Sequence, residues 1–221
     1  VRVGASSIDP AYSEDHLIVP AEATRAGENV IAIEFTAGDE ALNRGDDFLY
    51  TLFVPARAHL AFPCFDQPDI KARFTLRLDA PAEWQTVANA SEVARGVDGS
   101  RQRIRFAETK PLPTYLFGFV AGVFSVDHAV RRGRTIRMFH RETDAAKVAR
   151  NRDALFDLHA TALAWLEDYT AISYPFDKLD FVLIPSFQFG GMEHAGAILY
   201  NAASVMLDET ATQNQLLIRA S

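Results

Sequence analysis

Over the first two thirds of the chain, apolar and polar residues alternate in short runs. Residues 72–79 show this most clearly, with Ala72, Phe74, Leu76 and Leu78 on one face and Arg73, Thr75, Arg77 and Asp79 on the other. That period of two predicts a half-buried strand with one wet face. Residues 102–106 and 134–139 repeat the alternation. Residues 30–35 and 48–54 are apolar and rich in β-branched or aromatic side chains, and the continuous apolar run 115–120 predicts a central strand. Asp98-Gly99 follows Glu92-Val93 and precedes the 102–106 run, which predicts a hairpin. Short strands with Gly and Pro turns and no helical period indicate an antiparallel sandwich or saddle of sheets.

The pattern changes near residue 141. Thr143 or Asp144 can cap a helix. Leu155, Leu158, Ala162, Leu166 and Tyr169 then recur at helical spacing, beside His159 and Leu163. Pro175 pushes Tyr174 out of helical space, so the helix ends before it. Residues 179–184 and 197–200 read as strands, and a second helix begins near Thr212, with Leu216, Leu217 and Ala220 apolar. That helix still runs at Ser221, so the chain is expected to be a piece of a longer protein. The fold class is α+β: an all-β part over residues 1–141, itself open to truncation at its start, and a truncated α+β part over 142–221.

The formal net charge of −7 disfavours nucleic acid, whose binding needs a basic face. No apolar run approaches the roughly 20 residues of a membrane span. No secretory leader is visible. Compartment stays open: the cytoplasm is favoured, and a removed upstream signal would allow secretion or the periplasm. The single cysteine, Cys64, sits beside Phe62, Pro63 and Phe65, the setting of a buried inert thiol. Arg131-Arg132-Gly133-Arg134 reads as a solvated charge run in a turn, His159 as a core-edge histidine, and Asp66 with Asp69 as part of a loop whose backbone groups are capped. The six histidines include no pair four residues apart, so no helical His-Glu-x-x-His metal motif is present.

The main candidate for chemistry is Phe189-Gly190-Gly191-Met192-Glu193-His194, set between the apolar runs 179–184 and 195–200. Bare glycines let a ligand approach the backbone, and the acid beside them can meet a cation. The layout suits a groove that grips an extended peptide and reads its free amino end. A plain turn with a surface acid is the competing reading.

Several segments resemble, in order, the zinc aminopeptidases of the aminopeptidase N type (peptidase family M1, gluzincins), which include the leukotriene hydrolase. They are Phe62-Pro63-Cys64-Phe65-Asp66-Gln67-Pro68 with Lys71-Ala72 and Phe74; Lys110-Pro111-Leu112-Pro113-Thr114-Tyr115-Leu116; Tyr174-Pro175-Phe176 with Lys178-Leu179-Asp180; and Gly190-Gly191-Met192-Glu193-His194, which resembles the substrate-binding Gly-x-Met-Glu-Asn motif. The resemblance implies a β-saddle domain followed by the start of a thermolysin-like catalytic domain. It also implies a parent metalloprotease that removes N-terminal residues from peptides. Zinc would be a cofactor of the full-length parent, held by residues beyond this chain, so no catalytic or metal residue is expected here and the fragment alone is expected to be inactive. Gly190, Gly191, Met192, Glu193 and His194 are the implied substrate-binding residues. Glu193 would pair with the α-ammonium, His194 would assist, and Met192 would line the first side-chain pocket. Two departures stand out: His194 where the family has Asn, and apolar Leu52 and Val54 where the family brings a Gln and then a Gln or Glu to the amine. The alternative is a non-catalytic peptide-binding or scaffold protein built on the β saddle.

Overall fold

The computed structural model describes residues 1–220. The first forty residues form short strands, β1 (Arg2–Val3), β2 (Ser6–Ser7), β3 (Ala11–Ser13), β4 (His16–Ile18) and β5 (Ile31–Ala32), in the small sheets β2-β1-β5 and β3-β4. Then follow β6 (Leu42–Arg44), β7 (Phe48–Thr51), β8 (Arg77–Pro81), β9 (Gln85–Ala88), β10 (Glu92–Asp98), β11 (Arg101–Phe106) and β12 (Phe119–Gly122). They build the antiparallel sheets β10-β11-β8 and β6-β7-β12-β9. β13 (Ser125–Arg131), β14 (Arg134–His140), α1 (Ala145–Thr170), β15 (Leu179–Ile184), β16 (Gly191–Met192), β17 (Ala197–Asn201), α2 (Ala202–Val205) and α3 (Gln213–Ala220) complete the chain.

The last five strands make one mixed sheet, β13-β14-β15-β17-β16, in which β15 runs parallel to both β14 and β17. This sheet crosses residue 141, because the hairpin β13–β14 precedes that point and β15 follows it. β15 is buried along its whole length, and its side chains divide by parity. Val182 and Ile184 join Tyr50, Val87 and Val120 of the four-stranded sheet and Leu52 just past β7. Leu179, Phe181 and Leu183 meet Leu155, Phe156 and Ala160 of α1. A strand covered on both faces reads as an unbroken apolar run, as this one does. The result is three layers: antiparallel sheet, mixed sheet, helix. The expected α+β class with a β-rich first part is what the chain adopts.

The helix starts where its cap dictates: Asp144 Oδ1 accepts from the N–H groups of Ala146 (2.9 Å) and Lys147 (3.2 Å). It ends at Ala171, whose φ of +55° is left-handed. Its buried stripe differs from the expected one. Leu155, Phe156 and Ala160 are buried, whereas Leu166 and Tyr169 stand exposed. α1 carries two neighbouring apolar stripes, and the sheet takes only one. The other, with Leu158, Ala162 and Trp165, opens on a cleft of about 680 Å³.

Four expected strands are also shortened, 30–35 to Ile31–Ala32 and 48–54 to Phe48–Thr51 among them. The run 115–120 is a 3-10 turn over Thr114–Leu116, and its strand begins only at Phe119. Asn89 explains this: its side-chain amide bonds the Leu116 carbonyl (2.8 Å) and the Gly118 N–H (2.8 Å), so that backbone is satisfied without a ladder partner. Within 72–79 only residues from Arg77 onward join the ladder, although Phe74, Leu76 and Leu78 keep the half-buried face. Arg131 and Arg134, expected to be solvated, are tied to α1. Arg131 meets Asp157 (2.5 Å) and Asp153 (3.3 Å), and Arg134 grips Glu167 through two bonds of 2.8 and 2.9 Å.

Since Leu183 is fully buried between β15 and α1, Leu183→Ala is expected to cost about 2–5 kcal/mol. Asp144→Ala should cost about 1 kcal/mol, because it removes only a helix cap. Urea unfolding of the two variants checks the ranking.

Candidate functional site

The Gly-Gly-Met-Glu-His segment lies at the rim of the mixed sheet. After β15 the chain turns through Ser186, whose φ is +55°, and buries Phe187 against the Tyr50 ring at 5.5 Å. Asn201, at the end of β17, then holds the segment twice. Its side chain donates to the Phe187 carbonyl (2.7 Å) and its N–H to the Gly190 carbonyl (3.0 Å). Gly191 and Met192 form β16, the outermost strand, opposite Tyr200 and Leu199. With ladder bonding at Gly190, alternation turns the N–H and C=O of Gly191 away from β17, toward the open edge.

The two glycines are bare for different reasons. A Cβ on Gly191 would lie 3.1 Å from the Tyr200 ring, whereas one on Gly190 would meet nothing within 4 Å. Gly190 also borders the cleft beside α1. From here the side chains split by parity. Met192 is buried among Leu52, Val120 and Leu199. Glu193 is exposed and has no hydrogen-bond or ion-pair partner among the described residues. His194 is buried again, against Gly118.

Met192 packs in the core between the sheets, because its strand sets it on the inner face. His194 is buried on the same inner side. Leu52 is fully buried, and Val54 packs half-buried on the same core.

Residues with no local signal in the sequence hold the segment down. Asn89 Nδ2 donates to the Ala195 carbonyl at 2.9 Å, across 106 residues of chain. Gly196, at φ +74°, lets its backbone approach the Asn89 carbonyl so closely that a Cβ would sit 2.3 Å from that oxygen. Lys178 Nζ bonds the Gly196 carbonyl (2.6 Å) and lies 2.9 Å from buried Asp180, which Arg137 also grips (2.9 and 2.5 Å). The segment 190–196 is therefore fixed to the first part of the chain through Asn89 and to its own sheet through Lys178 and Asn201.

The remaining candidates take structural roles. Cys64 is half-buried, and burial, aided by Asp66, pushes its thiol up to about 11, so it stays a neutral thiol at pH 7. Asp66 accepts from the Thr114 hydroxyl (2.5 Å) and the His59 N–H (3.1 Å), capping its loop. His159 stacks on Phe181 at 4.0 Å between ring centres, and burial pushes its pKa below the ordinary histidine value. Among the described residues no group of three or more His, Cys, Asp or Glu is placed to hold a metal ion. No helix among them is long and apolar enough to cross a membrane.

Burial brings the pKa of His194 down to about 4, and neither ring nitrogen has a hydrogen-bond partner among the described residues. An unfolded histidine titrates near 6.5. Between those values the unfolded chain binds a proton that the native one refuses. The stabilisation is complete above about pH 6.5, falls as acid is added, and is gone once the pH passes below about 4. The full span is worth about 3 kcal/mol. His194→Asn is expected to lose this part of the acid dependence, visible as a smaller drop in unfolding free energy between pH 7 and pH 5 than the parent shows.

Comparison with known proteins gives the same direction throughout. Residues 17–116 match the Peptidase M1 N-terminal domain, and residues 155–219 match the Peptidase family M1 domain. The chain is 30% identical over 213 residues to Aminopeptidase M1-B of Oryza sativa subsp. japonica, covering 90% of this chain and 24% of that protein. It is 31% identical over 162 residues to Aminopeptidase M1 of Arabidopsis thaliana (72% and 18%) and 34% identical over 173 residues to Glutamyl aminopeptidase of Sus scrofa (75% and 18%). The chain thus spans between 18% and 24% of the length of these curated relatives. With matches in both halves of the fold, the chain belongs to the M1 family of peptidases.

Proposed function

We propose that this chain supplies the amine-reading edge of an aminopeptidase that removes N-terminal residues from peptides. The observation that carries the reading is Glu193, an exposed and unpartnered carboxylate next to the outward-facing backbone of Gly191 on an outermost strand. A peptide laid along β16 would gain main-chain hydrogen bonds as an added strand does. Its α-ammonium would then reach Glu193. A charged hydrogen bond of that kind contributes about 1.5–3 kcal/mol. An interior residue of a peptide has no ammonium to offer, so the pairing selects the chain end. The aminopeptidase names of the relatives support the same reading.

Leu52 and Val54, packed inward, leave the amine to Glu193 without help from the antiparallel sheet. The role proposed for this chain is recognition and orientation. Zinc dependence of the whole enzyme rests on the family resemblance.

Glu193→Gln in the whole protein keeps size and exposure but removes the charge. It is expected to lower kcat/KM on aminoacyl reporter substrates by about 10- to 100-fold. It should also abolish the preference for a free over an N-acetylated peptide. A variant that still discriminates the two peptides as well as the parent does would overturn the assignment.

A further inference from the structure

The solvent face of the sheet β10-β11-β8 carries an unbalanced pair of charges. Alternation along β11 buries Gln102, Ile104 and Phe106 and turns Arg101, Arg103 and Arg105 outward. The β11–β8 register sets Arg103 across from Asp79 and Arg105 across from Arg77. Asp79 serves the first part of this row: it accepts from Arg101 Nε at 2.5 Å and lies 3.5 Å from Arg103. The hydrogen bond from Arg101 holds the Asp79 carboxyl below the usual carboxylate range. Arg95, on the other face, is held by Glu92 and Gln102, and Arg73 is 3.6 Å from Glu108.

Arg77 and Arg105 are left over. Neither has a hydrogen bond, ion pair or ring contact among the described residues, although they stand directly opposite on paired strands. Like charges in that relation destabilise a sheet. On its other side Arg105 faces Ala94, which adds only a methyl group. Arg77, Asp79, Ala94, Arg103 and Arg105 border a recess of about 240 Å³, together with Leu78 and Ile104.

We propose that Arg77 and Arg105 form a binding site for a phosphate dianion, as free phosphate or as a phosphomonoester. Two guanidinium groups present two positive charges and two forks of N–H donors; Asp79, which also borders the recess, is engaged by Arg101 and Arg103, and Asp98 stands opposite Arg101. A phosphomonoester brings nearly two negative charges and three acceptor oxygens near pH 7, where a carboxylate brings one charge and two oxygens. The net charge of −7 and the presence of Asp79 and Asp98 on the same sheet face work against a long polyanion and leave room for a compact one. The site lies on a different sheet from Glu193 and does not depend on its role.

The test is calorimetric titration of the intact protein with inorganic phosphate, a phosphoserine peptide, its unphosphorylated counterpart and acetate. Both phosphate-bearing probes are expected to bind, and the other two are not. Affinity should weaken as the pH drops below about 6, where the phosphate loses its second charge. Arg77→Gln and Arg105→Gln are each expected to weaken phosphate binding about tenfold or more. Arg77→Lys, which keeps the charge but not the fork, should fall between, and Arg132→Gln on the β13–β14 turn should match the parent. Removing one of two opposed charges leaves the melting midpoint equal or higher, which separates lost binding from lost fold. A tighter phosphoserine peptide assigns the site to a phosphorylated segment, and equal affinities assign it to free phosphate. Unchanged phosphate affinity in both glutamine variants, or acetate binding as tightly as phosphate, overturns the site.

Discussion

Everything about the candidate site depends on one packed interface, the apolar layer between the four-stranded and the five-stranded sheets. Tyr50, Leu52, Val87 and Val120 come from one side, and Val182, Ile184, Met192 and Leu199 from the other. Met192 is part of this core and at the same time the residue before Glu193. The hydrophobic effect that joins the sheets therefore also fixes the edge segment. An acid on a free loop would lose orientation to conformational entropy. Here its neighbours on both sides are buried, so the carboxylate projects from a backbone that has little freedom.

The division of labour within the segment follows from strand geometry. Successive side chains leave a strand on opposite faces. Once Met192 and His194 are committed to the interior, Glu193 has only the outside. His194 extends the same logic, since a neutral imidazole with no partner is tolerated in an apolar setting only while it stays unprotonated. The anchors at the far end are polar and directional. Asn89 spends its amide on three backbone groups at once, Leu116, Gly118 and Ala195, so the turn before β12 and the segment after Glu193 share one clamp.

What the sequence made legible and what it hid divide along the same line. Local regularities were readable: the alternation of β11, the Asp144 cap, the unbroken run of β15 and the bare glycines beside an acid. The strand expected over 115–120 failed because a side chain 27 residues away satisfies its backbone, and no local pattern announces that. The buried stripe of α1 was misread because two apolar stripes lie side by side and only the sheet decides between them. The burial of Met192 and His194 was hidden because a motif gives residue types without the register that turns them inward. Arg131 and Arg134 read as a free run because the acids that bind them lie on a helix that begins later in the chain.

The contact between Gly191 and Tyr200 ties two positions together. The ring occupies the space that any larger residue at 191 would need, with 3.1 Å left for even a methyl. Substitution at 191 is thus conditional on Tyr200: even a methyl at 191 asks the ring to give by a few tenths of an ångström. The aromatic ring in this way favours a small cross-strand neighbour, and with it the low profile of the outermost strand.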